Sequence, residues 1–184
     1  MHFDGSKALQ GSGAGVVMQS PTGEKLSYVL QIHFEATNNM AEYEALLHGL
    51  RIARDIGIAC IQCCGDSDLV SQQVVGTSSA RSPIMAAYRD AVDDMSLHFK
   101  GCEVKYVKRE ENWAADILSK LGSSRKPVLP GVFLEHLHVL SIKGADPVHP
   151  ELVDSLVNTV KTIHPPWTQP SWTTSWTENF QKIR

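Results

Sequence analysis

Hydrophobic and polar positions change period along this chain, and each change marks an element. Residues 1–8 read as a strand, with His2 and Phe3 suited to it and Asp4 directly after them. Gly11-Ser12-Gly13-Ala14-Gly15 interrupts the pattern and reads as a flexible hairpin link, with a second strand from Val16 to Gln19. Pro21-Thr22-Gly23-Glu24 is a turn, and Lys25 to Ile32 a third strand, so this part reads as an antiparallel meander. The period then lengthens. Ala45, Leu46, Leu50 and Ala53 share a helical face, with Thr37 or an Asn beside it as N-cap and Gly57 as the closing residue. Ile58 to Cys64 is an apolar run broken only by Gln62, the pattern of a buried central strand, and Asp66 follows its carboxyl end. A short helix from Leu69 to Val75 comes next. Pro83 opens another that carries Met85, Tyr88, Val92, Met95 and Phe99. A strand over Cys102 to Val107 and a helix from Glu111 to Leu121, ended by Gly122, complete the pattern. The expectation is an α/β domain with a mixed five-stranded sheet: three antiparallel strands, then two more, flanked by helices.

The composition shifts after Lys126. Seven of the nine prolines and three of the four tryptophans lie beyond it. The expected organisation is therefore a folded domain over 1–122, a linker over 123–149, and a last segment over 150–184. That segment starts as an amphipathic helix built on Leu152, Val153, Leu156, Val157, Val160 and Ile163, and ends as an irregular tail rich in Pro, Trp, Ser and Thr. His136-x-His138 has the spacing of a metal pair on a strand, and chance is the preferred reading.

With 184 residues, 42% of them hydrophobic, the chain can bury one ordinary core. It holds no run of 18 apolar residues and no basic-then-apolar leader, so an intracellular protein without a membrane span is expected. The net charge of −3 does not mark a nucleic-acid binder, but local basic patches matter more than the sum. Cys60-x-x-Cys63 invites a metal or redox reading. On a strand, however, positions i and i+3 point to opposite faces, so these thiols cannot grip one ion. The four cysteines read as small core residues in a reducing compartment.

Four carboxylates remain, each at a strand or a helix start: Asp4 in Phe-Asp-Gly-Ser, Glu42 in Thr-Asn-Asn-Met-Ala-Glu, Asp66 in Gly-Asp-Ser, and Asp116 in Arg-Glu-Glu-Asn-Trp-Ala-Ala-Asp. In this order, on these elements, the set resembles type 1 ribonuclease H over about residues 1–122. The wording Gly-Asp-Ser-Asp-Leu-Val and Val-Lys-Arg-Glu-Glu-Asn looks most like the domains of plant gypsy-class retrotransposon polyproteins. The resemblance implies a ribonuclease H-like fold and cleavage of the RNA strand of RNA–DNA hybrids. It also implies a retroelement origin and other polyprotein domains as partners.

The chemistry asks for such a set. Two Mg²⁺ ions, with Mn²⁺ as a substitute, can activate a water and stabilise the leaving oxygen of a phosphodiester, and Mg²⁺ takes hard carboxylate oxygens. By resemblance Asp4 bridges both ions, Glu42 and Asp66 hold one, and Asp116 holds the other. Substrate contacts are implied for Gly5, Ser6, Thr37, Asn38, Asn39, Lys108, Arg109 and Asn112, with Lys105 as a further phosphate contact. The contrasting expectation is a catalytically inactive fragment of such a domain, at most a weak nucleic-acid-binding module. Three departures from the family pattern imply weaker binding and slower turnover: Asp68 where a Gln is common, no His in the loop before the last carboxylate, and no basic protrusion between Val75 and Pro83. Asp68 is expected in the first helical turn after Asp66, facing the substrate groove. Only Met1, His2 and Phe3 precede Asp4, against about five or six residues in an average strand, so a short strand and a poorly held Asp4 are expected.

Overall fold

The computed structural model describes residues 1–76 and 82–142. In chain order they form β1 (His2–Ala8), β2 (Gly11–Gln19), β3 (Lys25–Ile32), α1 (Asn38–Asp55), β4 (Cys60–Gly65), α2 (Asp68–Val75), α3 (Pro83–Ser96), β5 (Gly101–Tyr106), α4 (Trp113–Ser123) and β6 (Phe133–Leu137). The sheet order is β5-β4-β1-β2-β3-β6. Strands β1, β2 and β3 form the expected antiparallel meander, while β4 joins β1, β5 joins β4 and β6 joins β3 in parallel. The α/β class with a mixed sheet stands, but the sheet has six strands among the described residues, not five.

Strand β1 lies between a parallel and an antiparallel neighbour, and its two faces meet different helices. Phe3 and Gly5 face α1, whereas Asp4, opposite Gly15, faces α4. Helix α1 is capped by Thr37, whose Oγ1 accepts from the Met40 amide at 3.2 Å. It buries Tyr43, Ala45, Leu46, Leu47, Leu50 and Ala53, each large side chain contributing about 1.5–3 kcal/mol. The helix rests directly on β1, because a Cβ at Gly5 would run into the backbone of Ala41 and Glu42. That close approach brings Glu42 beside Asp4.

The same logic on the other face corrects the reading of residues 11–15. They are not a hairpin link but the first part of β2. Gly13 and Gly15 are glycines because a Cβ at either would strike the backbone of α4, at Ser123 and Ala115 respectively. Close helix–sheet packing and turn chemistry both select glycine, and the sequence alone does not separate them.

Residues 123–149 were expected to be a linker, but within their described part Phe133–Leu137 form β6. They pair with β3 from Tyr28↔Phe133 to Ile32↔Leu137. Phe133 stacks on Tyr28 with ring centroids 4.9 Å apart. The chain after β6 is fastened to α1. Glu44 Oε1 accepts from the Tyr88 hydroxyl at 2.7 Å and the Ser141 amide at 2.9 Å, and Arg51 donates to Ser141 Oγ and O. The helix expected over 150–163 and the tail to 184 lie outside the described residues.

Strand β1 is not short either. It runs on past Asp4 to Ala8, seven residues in all, each paired with β2. The Met1 ammonium donates to Gln62 O at 2.7 Å, and the Met1 carbonyl accepts from the Cys64 amide at 2.8 Å. Among the described residues no helix is long and apolar enough to cross a membrane.

Candidate active site

Three elements deliver three carboxylates to one point. Asp4 comes from the middle of β1, Glu42 from the first turns of α1, and Asp66 from just beyond the carboxyl end of β4. One ligand oxygen from each lies within 4.8 Å of the others. Strand order reverses between β1 and β4, and in open α/β sheets that reversal opens a crevice at the carboxyl ends. The cleft here has a volume of about 560 Å³.

Asp4 is 5% exposed and Glu42 4%. Ser119 of α4 donates to Asp4 Oδ2. Burial raises the Asp4 carboxyl to about 7; the Ser119 bond opposes the rise, and the charges of Asp66 and Asp116 add to it. Burial also raises Glu42, to about 9, helped by Asp4 and Asp66 and opposed by a backbone hydrogen bond from Gly5 and by Arg109. Glu42 Oε2 is buried without a hydrogen-bond partner. The cluster is therefore short of positive charge and has an open hard-oxygen ligand, which is what a divalent cation such as Mg²⁺ fits.

Asp116 lines the same cleft but stands apart from the cluster. Arg109 Nη2 donates to its Oδ1 at 2.7 Å and Lys120 Nζ to its Oδ2 at 2.6 Å. Burial would raise its carboxyl, but these bonds outweigh burial and hold it below the usual carboxylate range.

A protein-family model described as reverse transcriptase-like matches residues 2–122. The chain belongs to the reverse transcriptase-like family. Ribonuclease HI of Halobacterium salinarum is 33% identical over 120 residues, which are 64% of this chain and 60% of that protein, so the chain spans less than two thirds of this relative's length. The crystal structure of RNase H1 from Halobacterium salinarum NRC-1 superposes with a TM-score of 0.61 at 29% identity, covering 67% of this chain and 96% of that one. LC11-RNase H1, isolated from compost by a metagenomic approach, was solved in complex with an RNA/DNA hybrid. It superposes with a TM-score of 0.58 at 24% identity, covering 67% of this chain and 95% of that one, a likeness that speaks for the fold alone. The α/β ribonuclease H-like fold expected from the motifs is the fold of this family member.

Of the other residues singled out in the sequence, Gly5, Ser6, Asn38 and Arg109 line the cleft. Ser6 Oγ donates to Ser123 Oγ at 2.8 Å. Thr37, Asn39, Lys108 and Asn112 are not among the lining residues. Thr37 is occupied as the cap of α1, and Lys105 pairs with Glu103 at 3.3 Å. Asn112 is fully buried and works as a brace. Its Nδ2 donates to Phe3 O at 2.9 Å and to Asp66 Oδ1 at 2.8 Å, while its Oδ1 meets His2 Nδ1 at 3.2 Å. It ties Asp66 to the strand that carries Asp4.

Asp68 begins α2 as expected; it is exposed, accepts from Gln72 at 2.7 Å and is not among the residues lining the cleft. Lys7, Lys120 and Lys126 do line it and were missed in the sequence. Only Lys120 carried a signal, four residues after Asp116 on a helix face. Cys63, Cys64 and Cys102 are core residues as expected, with Cys63 against Cys102, whereas Cys60 is only half-buried.

Proposed function

We propose that this chain is a metal-dependent endoribonuclease that cuts the RNA strand of RNA–DNA hybrids. One observation carries the reading: a counter-charge-poor trio of carboxylates, Asp4 and Glu42 buried and Asp66 half-buried, in a cleft rimmed by Lys7, Arg109, Lys120 and Lys126. Membership of the family and the likeness to ribonuclease HI support it.

Asp4, Glu42 and Asp66 would hold divalent cations, with Asp116 as a further ligand once its two cations turn to substrate. Bound Mg²⁺ supplies an activated water and neutralises charge on the phosphate. The protein's own groups do the rest. Arg109 and Lys120 meet the anionic backbone with charge-assisted donors, and Lys7 and Lys126 extend that track along the rim. Ser119 fixes the Asp4 carboxylate from α4, and Asn112 fixes Asp66. Asn38, exposed at the start of α1, offers an amide to the 2′-hydroxyl that distinguishes RNA from DNA.

Hybrids labelled on either strand test this reading. With Mg²⁺ the RNA strand should be cut while the DNA strand, duplex DNA and duplex RNA stay whole. Binding without cutting at any Mg²⁺ or Mn²⁺ concentration would leave the inactive-module reading instead.

A further inference from the structure

Three of the eight histidines converge at the β6 edge of the sheet, away from the β1–β4 cleft. His136 lies within β6 and His138 just after it, two positions apart and so on one face. His33 directly follows β3, and its amide donates to Leu137 O at 2.8 Å, the carbonyl between the other two histidines. Ring centroids lie 4.6 Å apart for His33 and His138, 5.1 Å for His33 and His136, and 6.2 Å for His136 and His138. All three residues are exposed, and among the described residues none pairs with a carboxylate.

We propose that His33, His136 and His138 form a binding site for a divalent transition metal ion, with Zn²⁺ as the probe. The ligand class follows from the chemistry. Neutral imidazole suits Zn²⁺, Cu²⁺ and Ni²⁺, whereas the carboxylate cleft suits Mg²⁺. The three rings stack nearly parallel, with interplanar angles of 12–26°, so their in-plane lone pairs do not converge as they stand and the rings must turn to share an ion. His33 Nε2 and His136 Nδ1 are 2.8 Å apart. Nitrogens that share a tetrahedral zinc at Zn–N of about 2.0–2.1 Å lie roughly 3.3–3.4 Å from each other. Rotation of all three exposed side chains would bring one nitrogen of each to a common point, leaving one position for water. Stacking of neutral rings by itself also holds β6 to β3, but it leaves six ring nitrogens with one mutual hydrogen bond at the surface. The guanidinium of Arg125, close enough to act on His33, opposes a cation here. A moderate affinity, and no catalytic zinc, is therefore expected.

The test uses the full chain without a polyhistidine tag, dialysed against Zn²⁺ in excess Mg²⁺ so that the carboxylates are occupied. One zinc per chain should be retained, and its loss on acidification should follow imidazole protonation. His33→Gln, His136→Gln and His138→Gln should each weaken retention by about tenfold or more, while Asp66→Asn leaves it unchanged. Zn²⁺ should raise the melting temperature of the wild type but not of the triple His→Gln variant, whose fold is checked by circular dichroism. If that variant does not fold, His138→Gln alone decides. Equal zinc retention by wild type and either variant, or none by wild type, would overturn the proposal.

Discussion

Glu42 and Glu44 lie two residues apart on α1, and both are buried, at 4% and 0% exposure. Each has an Oε2 without a hydrogen-bond partner, so the difference lies in what meets the rest of the carboxylate. Glu44 points toward α3 and the chain after β6, where the Tyr88 hydroxyl and the Ser141 amide both donate to Oε1. Glu42 points into the cleft, where its near neighbours are two more carboxylates. Burial alone thus does not mark a functional acid. A buried carboxylate met by donors fastens the fold, whereas one met by like charge waits for a cation.

Exchanging each residue should separate the two roles most sharply. Glu42→Gln should abolish hybrid cleavage yet leave the metal-free protein at least as thermostable, because the amide escapes the cost of holding a buried carboxyl protonated, or charged beside Asp4 and Asp66. Glu44→Ala should leave the buried Tyr88 hydroxyl unpaired, at about 1–3 kcal/mol, and the part-buried Ser141 amide at less, and lower the melting temperature while the folded fraction still cuts. Parallel melting and cleavage curves on both variants check this. Equal stability losses would dissolve the contrast.

The pH dependence of stability comes next. Asp4 and Glu42 are raised from 3.8 and 4.5 to about 7 and about 9, so the folded state holds more protons than the unfolded state. Their contribution is most favourable below about pH 4 and is lost as pH rises through 7 and 9. In chelator the wild type should therefore lose stability relative to Glu42→Gln across that window. Saturating Mg²⁺ should flatten the difference, because the cation replaces the protons. Thermal melts at a series of pH values read both.

A smaller effect is expected at Asn112. Asn112→Ala frees Asp66 from β1, so the Mg²⁺ concentration for half-maximal cleavage should rise roughly 10–100-fold, with much of the rate recovered at high Mg²⁺. A loss that Mg²⁺ does not recover would place Asn112 on the substrate instead. The smallest effect belongs to Asp68. Asp68→Gln should leave hybrid affinity unchanged across a salt series. Lys7→Ala or Lys126→Ala should instead shallow the salt slope by about one for each phosphate that the lysine had neutralised.

The sequence made the floor of the site legible but not its rim. Glu42 and Asp66 sit where a pattern changes period, and such places are where side chains reach a shared crevice; Asp4, inside a strand, was legible only as the first of four motifs in order. Lys7 and Lys126 carry no such mark, because a surface lysine is placed by the folded chain rather than by its neighbours in sequence. Asn112 was implied as a substrate contact by the family resemblance alone. Its bonds reach back to Phe3 and Asp66, separations of 109 and 46 residues that no local pattern encodes. Strand β6 escaped for a related reason. Phe-Leu-Glu-His-Leu is short, lies at the sheet edge and is mostly exposed, so it lacks the apolar run that identified β4. Glu44 was hidden because Tyr88 and Ser141 lie 44 and 97 residues away.

The carboxylate trio is held to act through a bound cation. The most direct test is the initial rate of RNA-strand cleavage in a labelled hybrid as Mg²⁺ is raised from zero, for the wild type and for Asp4→Asn. The wild-type rate should climb from background to a plateau, while Asp4→Asn, folded and hybrid-binding, stays at background throughout. Cleavage by the wild type in excess chelator, or a wild-type rate from Asp4→Asn, would contradict it.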